Sequence, residues 1–198
     1  MNRIVLASGN RGKLAEFRQL LSATGWNISA QLDLNVSEAA ETGLSFVENA
    51  IIKARHAAHH TGLPALADDS GLEVDALQGA PGIYSARFAG ANADDAANNR
   101  KLLELLAAVP EAQRTARFQC VLVFMRHAAD PSPLICQGTW QGRLLMAPRG
   151  SAGFGYDPLF YIPQLQKTSA ELPAAAKNQF SHRGQALAKL LIAMKELQ

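Results

Sequence analysis

The sequence predicts an α/β fold built on a mixed β-sheet, and three observations carry that expectation. Short apolar runs of strand character intermix with segments whose apolar residues recur at helical spacing. One pair of runs, 118–125 and 134–136, is joined by Asp130-Pro131-Ser132-Pro133 and reads as an antiparallel hairpin, which a purely doubly wound parallel sheet does not need. No repeat, linker or low-complexity stretch divides the 198 residues, so a single domain over 1–198 is expected.

The elements follow in order. Ile4-Val5-Leu6 reads as a short buried strand ended by Ser8-Gly9-Asn10. Leu14, Phe17, Leu20 and Leu21 then recur at helical spacing, with Asn10 as candidate N-cap and Gly25 as stop. Strand is expected within 27–38. Ser45-Phe46-Val47-Glu48 is a capping-box pattern, and Val47, Ala50, Ile51, Ala54 and Ala58 form one stripe behind it that Gly62 ends. Pro64 to Ala67 is an apolar run expected to stop at Asp68-Asp69-Ser70-Gly71, with a second short strand over 72–77. Gly79-Ala80-Pro81-Gly82 is a turn. Asp94 or Asp95 caps a helix carrying Leu102, Leu103, Leu105 and Leu106, closed by Pro110. Phe118 to Met125 is a strong strand. Gly-rich residues 150–155 lead through Tyr156-Asp157-Pro158 into a strand over 159–162. Ser181 opens a last helix with Leu187, Leu190, Leu191 and Met194 on one face.

Composition narrows the function classes. A net charge of +2 and a pI near 8.6 are too mild for a dedicated nucleic-acid binder, so any anion site is local. No apolar run approaches the roughly 20 residues of a membrane helix. The opening stretch, Met1 to Ala7, offers only Ile4 to Ala7 as apolar residues, too few for a secretory h-region. Cys120 and Cys136 fall in strand-like segments without metal spacing and read as buried free thiols of a reducing cytoplasm.

Four constellations carry chemistry. Ser8-Gly9-Asn10-Arg11-Gly12-Lys13 sits where a strand becomes a helix, a place where free N–H groups and the helix dipole attract anions. It lacks Walker A spacing, and a Gly turn with a solvated Lys is an equal reading. Ser181-His182-Arg183-Gly184 opens the last helix. Arg11, Lys13 and Arg183 therefore place cations at helix N-termini, where each is unfavourable by roughly 0.3–1 kcal/mol. Either solvent screens that cost or an anionic ligand reverses it. Glu41, Asp68 and Asp69 form an acidic set. Carboxylates at a strand end suit Mg²⁺, although adjacent strand residues point to opposite faces. Gly153-Phe154-Gly155-Tyr156-Asp157-Pro158 suits a flat ring stacked on an aromatic, or a β-turn with core aromatics. His56, His59 and His60 lie away from the apolar stripe of their helix and read as a solvated face rather than a zinc site. Lys53 shares that polar side.

Together these residues resemble a known family. Ser8-Gly9-Asn10-x-x-Lys13, Glu41-Thr42-Gly43-Leu44-Ser45-Phe46-x-Glu48-Asn49-Ala50, Lys53-Ala54-Arg55, Asp68-Asp69-Ser70-Gly71-Leu72, Ala80-Pro81-Gly82-Ile83-Tyr84-Ser85-Ala86-Arg87, Phe154-Gly155-Tyr156-Asp157-Pro158 and Ser181-His182-Arg183-Gly184 occur in this order. The set looks like the inosine/xanthosine triphosphate pyrophosphatase family, in particular its bacterial members, over nearly the whole chain. Arg11 fills a variable position. Ala40 stands where some relatives carry a second acid, which leaves Glu41 as the acid available there.

The resemblance implies a long twisted mixed sheet with flanking helices, two lobes around a central cleft, and a cytoplasmic homodimer. It implies Mg²⁺-dependent hydrolysis of ITP, dITP and XTP to the monophosphate and pyrophosphate, with no nucleic-acid or membrane partner. Residues 8–13 with Lys13 and Lys53 would hold the phosphates. Asp69 would act in catalysis and, with Glu41, hold the metal, Asp68 giving support. Ser70, Phe154, Gly155, Tyr156, Asp157, Lys177, His182 and Arg183 would complete substrate binding, with Lys177 near the base or near the phosphates. His182, Arg183 and loop N–H groups near 154–157 would donate to the purine O6 and refuse adenine. A pyrophosphatase for other modified nucleotides and a non-catalytic nucleotide sensor are the competing readings.

Overall fold

The protein is represented by a computed structural model that describes residues 2–21 and 25–196. Met1, part of the opening stretch discussed above, lies outside the described residues, as do the ends of the expected 1–198 span. Seven strands are described: β1 (Asn2–Ala7), β2 (Trp26–Ala30), β3 (Ala65–Val74), β4 (Thr115–Met125), β5 (Leu134–Leu144), β6 (Phe160–Ile162) and β7 (Lys167–Thr168). The helices are α1 (Arg11–Leu21), α2 (Phe46–Thr61), α3 (Asp95–Leu106), α4 (Ala174–Phe180) and α5 (His182–Lys195). The strands form one mixed sheet in the order β2-β1-β3-β4-β5-β6-β7. β1 runs parallel to β2 and β3, whereas β6 runs antiparallel to β5 and β7. The α/β class with a mixed sheet is therefore as the sequence predicts.

Local chemistry explains the helix starts. Asn10 Oδ1 accepts the Lys13 N–H at 3.0 Å and opens α1. At α2 the Ser45 hydroxyl accepts the Glu48 N–H, while the Glu48 carboxylate accepts the Leu44 N–H at 2.9 Å, so the expected cap forms with its return arm one residue before Ser45. Asp94, not Asp95, caps α3 by accepting the Ala97 N–H at 2.7 Å.

Four points differ from the sequence reading. β3 does not break at Asp68-Asp69-Ser70-Gly71 but runs unbroken to Val74. Aspartates make turns when they cap their own backbone. Here both carboxylates are engaged by distant cations, and the backbone stays in the ladder. The strand expected over 72–77 is the end of β3 followed by a 3-10 turn at Asp75–Leu77. α4 has no expected counterpart, because Ala174-Ala175-Ala176-Lys177-Asn178-Gln179-Phe180 carries no apolar period. Cys120 is buried as expected, but Cys136 is only half-buried.

The chain divides into two compact units. Unit 1 comprises Met1–Asp69, Cys120–Gly138 and Arg183–Gln198; unit 2 comprises Ser70–Gln119 and Thr139–His182. In unit 1 the strands bury both faces with period-2 alternation. Ile4, Leu6, Leu66, Cys120, Leu122 and Phe124 pack with Phe17 of α1 and Leu187 and Leu190 of α5. Val5, Ala7, Ala65, Ala67, Val121 and Val123 pack with Ala50, Ala54 and Ala57 of α2. Unit 2 has its own core around Leu72, Leu102, Leu106, Phe118, Trp140, Tyr156 and Phe160. Each fully buried Leu there contributes roughly 2 kcal/mol of transfer free energy. No described helix is long and apolar enough to cross a membrane.

Candidate active site

In unit 1, β3 sends its two aspartates to opposite faces. Leu66 shares the α1/α5 face, Ala65 and Ala67 the α2 face, and the aspartates continue the alternation. Asp68, 1% exposed, takes the Lys13 ammonium on Oδ1 and the Arg183 Nε–H on Oδ2 at 2.9 Å. The Cys120 thiol donates to the same Oδ2 at 3.2 Å. Arg183, itself 1% exposed, also pairs with Glu16. Lys13 and Arg183 sit in the first turns of α1 and α5, where the sequence left solvent screening and an anionic ligand as the two readings. Asp68 is a counter-ion to both, supplied by the chain itself.

Electrostatics fixes these charges. Burial pushes the Asp68 carboxyl up, but Arg183 and Lys13 outweigh it and hold the group well below the usual carboxylate range. Burial opposes the Arg183 charge, and Asp68 and Glu16 overcome it and make the guanidinium still more basic. Burial and then the Asp68 charge push the Cys120 thiol far up, so it stays a neutral donor rather than a reactive thiolate.

On the other face, Lys53 of α2 reaches Asp69 Oδ1 at 2.5 Å and Glu41 Oε1 at 3.1 Å. Asp69 Oδ2 is buried and has no hydrogen-bond partner among the described residues. Burial pushes the Asp69 carboxyl above its usual value, with Lys53 and Lys13 pulling the other way. For Lys53 burial opposes the charge, and Asp69 and then Glu41 outweigh it. Such an oxygen, beside a second carboxylate, fits a hard divalent cation, which takes one or two carboxylates and completes its shell with water and phosphate oxygens. Among the described residues no group of three or more His, Cys, Asp or Glu forms a metal site by itself. His56 accordingly touches the Ser37 carbonyl at 2.9 Å, and His59 and His60 lie exposed.

The remaining unit 1 residues form the turn before α1. The Asn10 N–H donates to Ser8 Oγ at 3.2 Å, and Arg11 is exposed. The atom nearest a Cβ built on Gly9 is Glu38 Oε1, the end of an exposed and flexible side chain that can swing aside.

In unit 2 the 153–157 loop closes on itself. Asp157 Oδ2 accepts the Phe154 N–H at 2.9 Å and the Lys177 ammonium at 2.6 Å, while Ser169 donates to Oδ1 at 2.8 Å. The Lys177 ammonium lies 5.0 Å from the centre of the Phe154 ring. Tyr156 donates its hydroxyl to the Ser85 carbonyl at 2.8 Å, and burial, aided by Asp95, keeps that phenol protonated. His182 stacks on Phe118 with ring centres 4.8 Å apart. Ser70 is half-buried within β3.

One expectation here is corrected. The N–H groups of Phe154, Gly155 and Asp157 are taken by Asp157 Oδ2, Asp95 Oδ2 and the Phe154 carbonyl, so they are not waiting for a purine oxygen. Glu16, Ser169 and Asn99 escaped the sequence reading, and Asp95 was read only as an alternative helix cap. Each is a lone polar residue whose partner is far along the chain, and no local spacing marks it.

Fold and site define an α/β protein that carries adjacent buried aspartates, each met by helix-borne cations. The sequence matches the Ham1 family over residues 4–193, and the chain belongs to that family. It is 60% identical over 196 residues to a Vibrio cholerae protein named dITP/XTP pyrophosphatase, covering 99% of this chain and 98% of that one. A solved Ham1 protein from Coxiella burnetii superposes with a TM-score of 0.91 at 53% identity, covering 99% and 100% of the two chains. A solved Staphylococcus aureus Ham1 protein gives 0.86 at 40% identity over 99% and 100%.

Proposed function

We propose that this chain hydrolyses deaminated purine nucleoside triphosphates, ITP, dITP and XTP, to the monophosphate and pyrophosphate. The relatives named dITP/XTP pyrophosphatase support the substrate class. The observation that carries the chemistry is the pairing of an unspent buried oxygen, Asp69 Oδ2, with the Lys53 and Lys13 cations nearby.

Lys13 and Lys53 neutralise the triphosphate, with the turn at Ser8, Gly9, Asn10, Arg11 and Gly12 receiving its oxygens. Asp69 orients the attacking water and serves as the local proton acceptor. A free Asp, with a pKa of about 3.9, is a poor base at neutral pH, and burial moves Asp69 in the useful direction. Glu41 and Asp69 are the residues that would hold Mg²⁺, which when bound lowers the pKa of water and neutralises the leaving pyrophosphate. Asp68 holds Lys13 and Arg183 in place.

The base is read in unit 2. Phe154 offers a ring face, and Lys177 and His182 supply donors for O6, with Ser70, Gly155, Tyr156 and Asp157 shaping the site. Arg183 acts through Asp68 rather than on the base, since its guanidinium lies between Asp68 and Glu16. Donors matched to O6 and left unpaired by adenine can separate substrates by up to about 10⁴-fold. A cytoplasmic homodimer belongs to the same reading. A sensor would gain nothing from a buried carboxylate oxygen, Asp69 Oδ2, left over beside phosphate-neutralising cations.

Pyrophosphate release from ITP, dITP, XTP, GTP and ATP, with and without Mg²⁺, tests this. Turnover of the deaminated purines that needs the metal and exceeds ATP turnover by at least a hundredfold is expected. Equal kcat/KM for ITP and ATP would overturn it.

A further inference from the structure

α3 in unit 2 spends its polar side chains on the backbone of other segments. Asn98 accepts the Ala89 N–H at 2.8 Å and donates to the Ala86 carbonyl at 3.1 Å. The Lys101 ammonium donates to the Phe88 carbonyl at 2.5 Å. Asp95 and Asn99 instead grip one residue of the 153–157 loop from both sides. Asp95 Oδ2 accepts the Gly155 N–H at 2.6 Å, and Asn99 Nδ2 donates to the Gly155 carbonyl at 2.9 Å.

The helix does not need Asp95 for itself, because Asp94 already caps it. Gly155 does need an outside grip. Its φ is +61°, it has no side chain to pack, and glycine loses more freedom than any other residue when fixed. The residue before it, Phe154, is tied on its other side by the bond from its N–H to Asp157 Oδ2. The Phe154 ring therefore hangs between two anchors, one within the loop and one on α3.

We propose that Asp95 and Asn99 are positioning residues for purine recognition, acting through Gly155 to fix the Phe154 ring as a platform for the base. This rests on the reading that Phe154 receives the purine. With the clamp gone, the ring samples several orientations, and every base loses affinity, most strongly the one whose O6 must meet fixed donors.

The test compares neighbouring aspartates of one helix. In Asp95→Ala the affinity for inosine monophosphate, measured by titration calorimetry without turnover, should fall about tenfold. In the enzymatic assay KM for ITP should rise by a similar factor, with kcat within about twofold and the preference for ITP over ATP reduced. Asp95→Asn keeps an acceptor for the Gly155 N–H and should restore most of the affinity. Asp94→Ala removes only the helix cap, so it should lower Tm and leave both affinity and KM unchanged. Asn99→Ala should show the same pattern as Asp95→Ala at about threefold, and stands in for it should that variant not fold. Wild-type affinity and selectivity in Asp95→Ala and Asn99→Ala would overturn the clamp. A wild type that binds inosine monophosphate through the clamp but releases no pyrophosphate would overturn the enzymatic reading and leave this one standing. No binding of inosine monophosphate by a wild type that still releases pyrophosphate from ITP would overturn the clamp alone.

Discussion

Asp68 and Asp69 are consecutive in one strand, equally acidic in sequence and both buried, yet their surroundings assign them opposite work. Asp68 meets Lys13, Arg183 and the Cys120 thiol. Asp69 meets Lys53 through one oxygen and keeps the other unspent. A carboxylate whose lone pairs are satisfied holds structure, whereas one with a buried free oxygen has capacity left for a proton or a cation. Burial alone does not separate the two; the partner on each oxygen does. The strand pleat makes the difference possible, since it turns one carboxylate toward α1 and α5 and the other toward α2.

Three substitutions break or sharpen that contrast. Asp69→Asn keeps size and shape but loses the basic oxygen, and kcat on ITP should fall by about 10²–10⁴ with Tm nearly unchanged. Steady-state kinetics and a thermal melt on the same preparation check it. Wild-type turnover would remove Asp69 from the chemistry.

Asp68→Asn should do the reverse. It leaves Arg183 and Lys13 short of a buried counter-charge, a change that costs about 3–5 kcal/mol in comparable sites. For a chain of this size that is a Tm drop of roughly 10 °C, with turnover per folded molecule reduced far less than in Asp69→Asn. Lost turnover with an unchanged Tm would mean that the two roles are exchanged.

Asp130 is another buried aspartate, but its cation is a half-exposed arginine. It accepts from Arg126 Nε at 2.9 Å and from the Arg126 and Ser132 N–H groups, and the Arg126 side chain is nearly half exposed. These hydrogen bonds, that to the Arg126 side chain foremost, hold its carboxyl well below the usual range. A depressed carboxylate stabilises the fold above its unfolded pKa of about 3.9, and that contribution is lost as pH falls through the folded value. Asp130→Asn should therefore lower Tm by a few degrees at pH 7, and the gap to wild type should close as pH is lowered below 4. A gap that does not narrow at all between pH 4 and pH 2 would show that shape, not charge, sets the effect.

Much of the architecture was legible from local pattern. The α2 capping box, the Asn10 cap and the helical stripes of α1 and α5 depend on residues three or four apart, and such spacing is visible in a bare chain. Asp69, Lys53 and Glu41 were legible as candidates because they belong to motifs of known company. The continuity of β3 was not, because Asp-Asp-Ser-Gly is turn-like until distant cations claim its carboxylates. Nor was the use of the loop N–H groups, since their acceptor Asp95 lies 60 positions from Gly155.

Residue order settled most of the helices and strands, though not the reach of β3 or the presence of α4, together with which faces are apolar and which side chains have the chemistry for phosphate and metal. Those properties arise from short-range sterics and from periodicity. Folding in three dimensions alone settled the pairing of charges: that Asp68 answers Arg183 across 115 positions, that Lys53 joins Glu41 to Asp69, and that Asp69 Oδ2 is left over. Electrostatic partners are chosen by distance in space and by burial, and neither quantity exists until the chain has closed on itself.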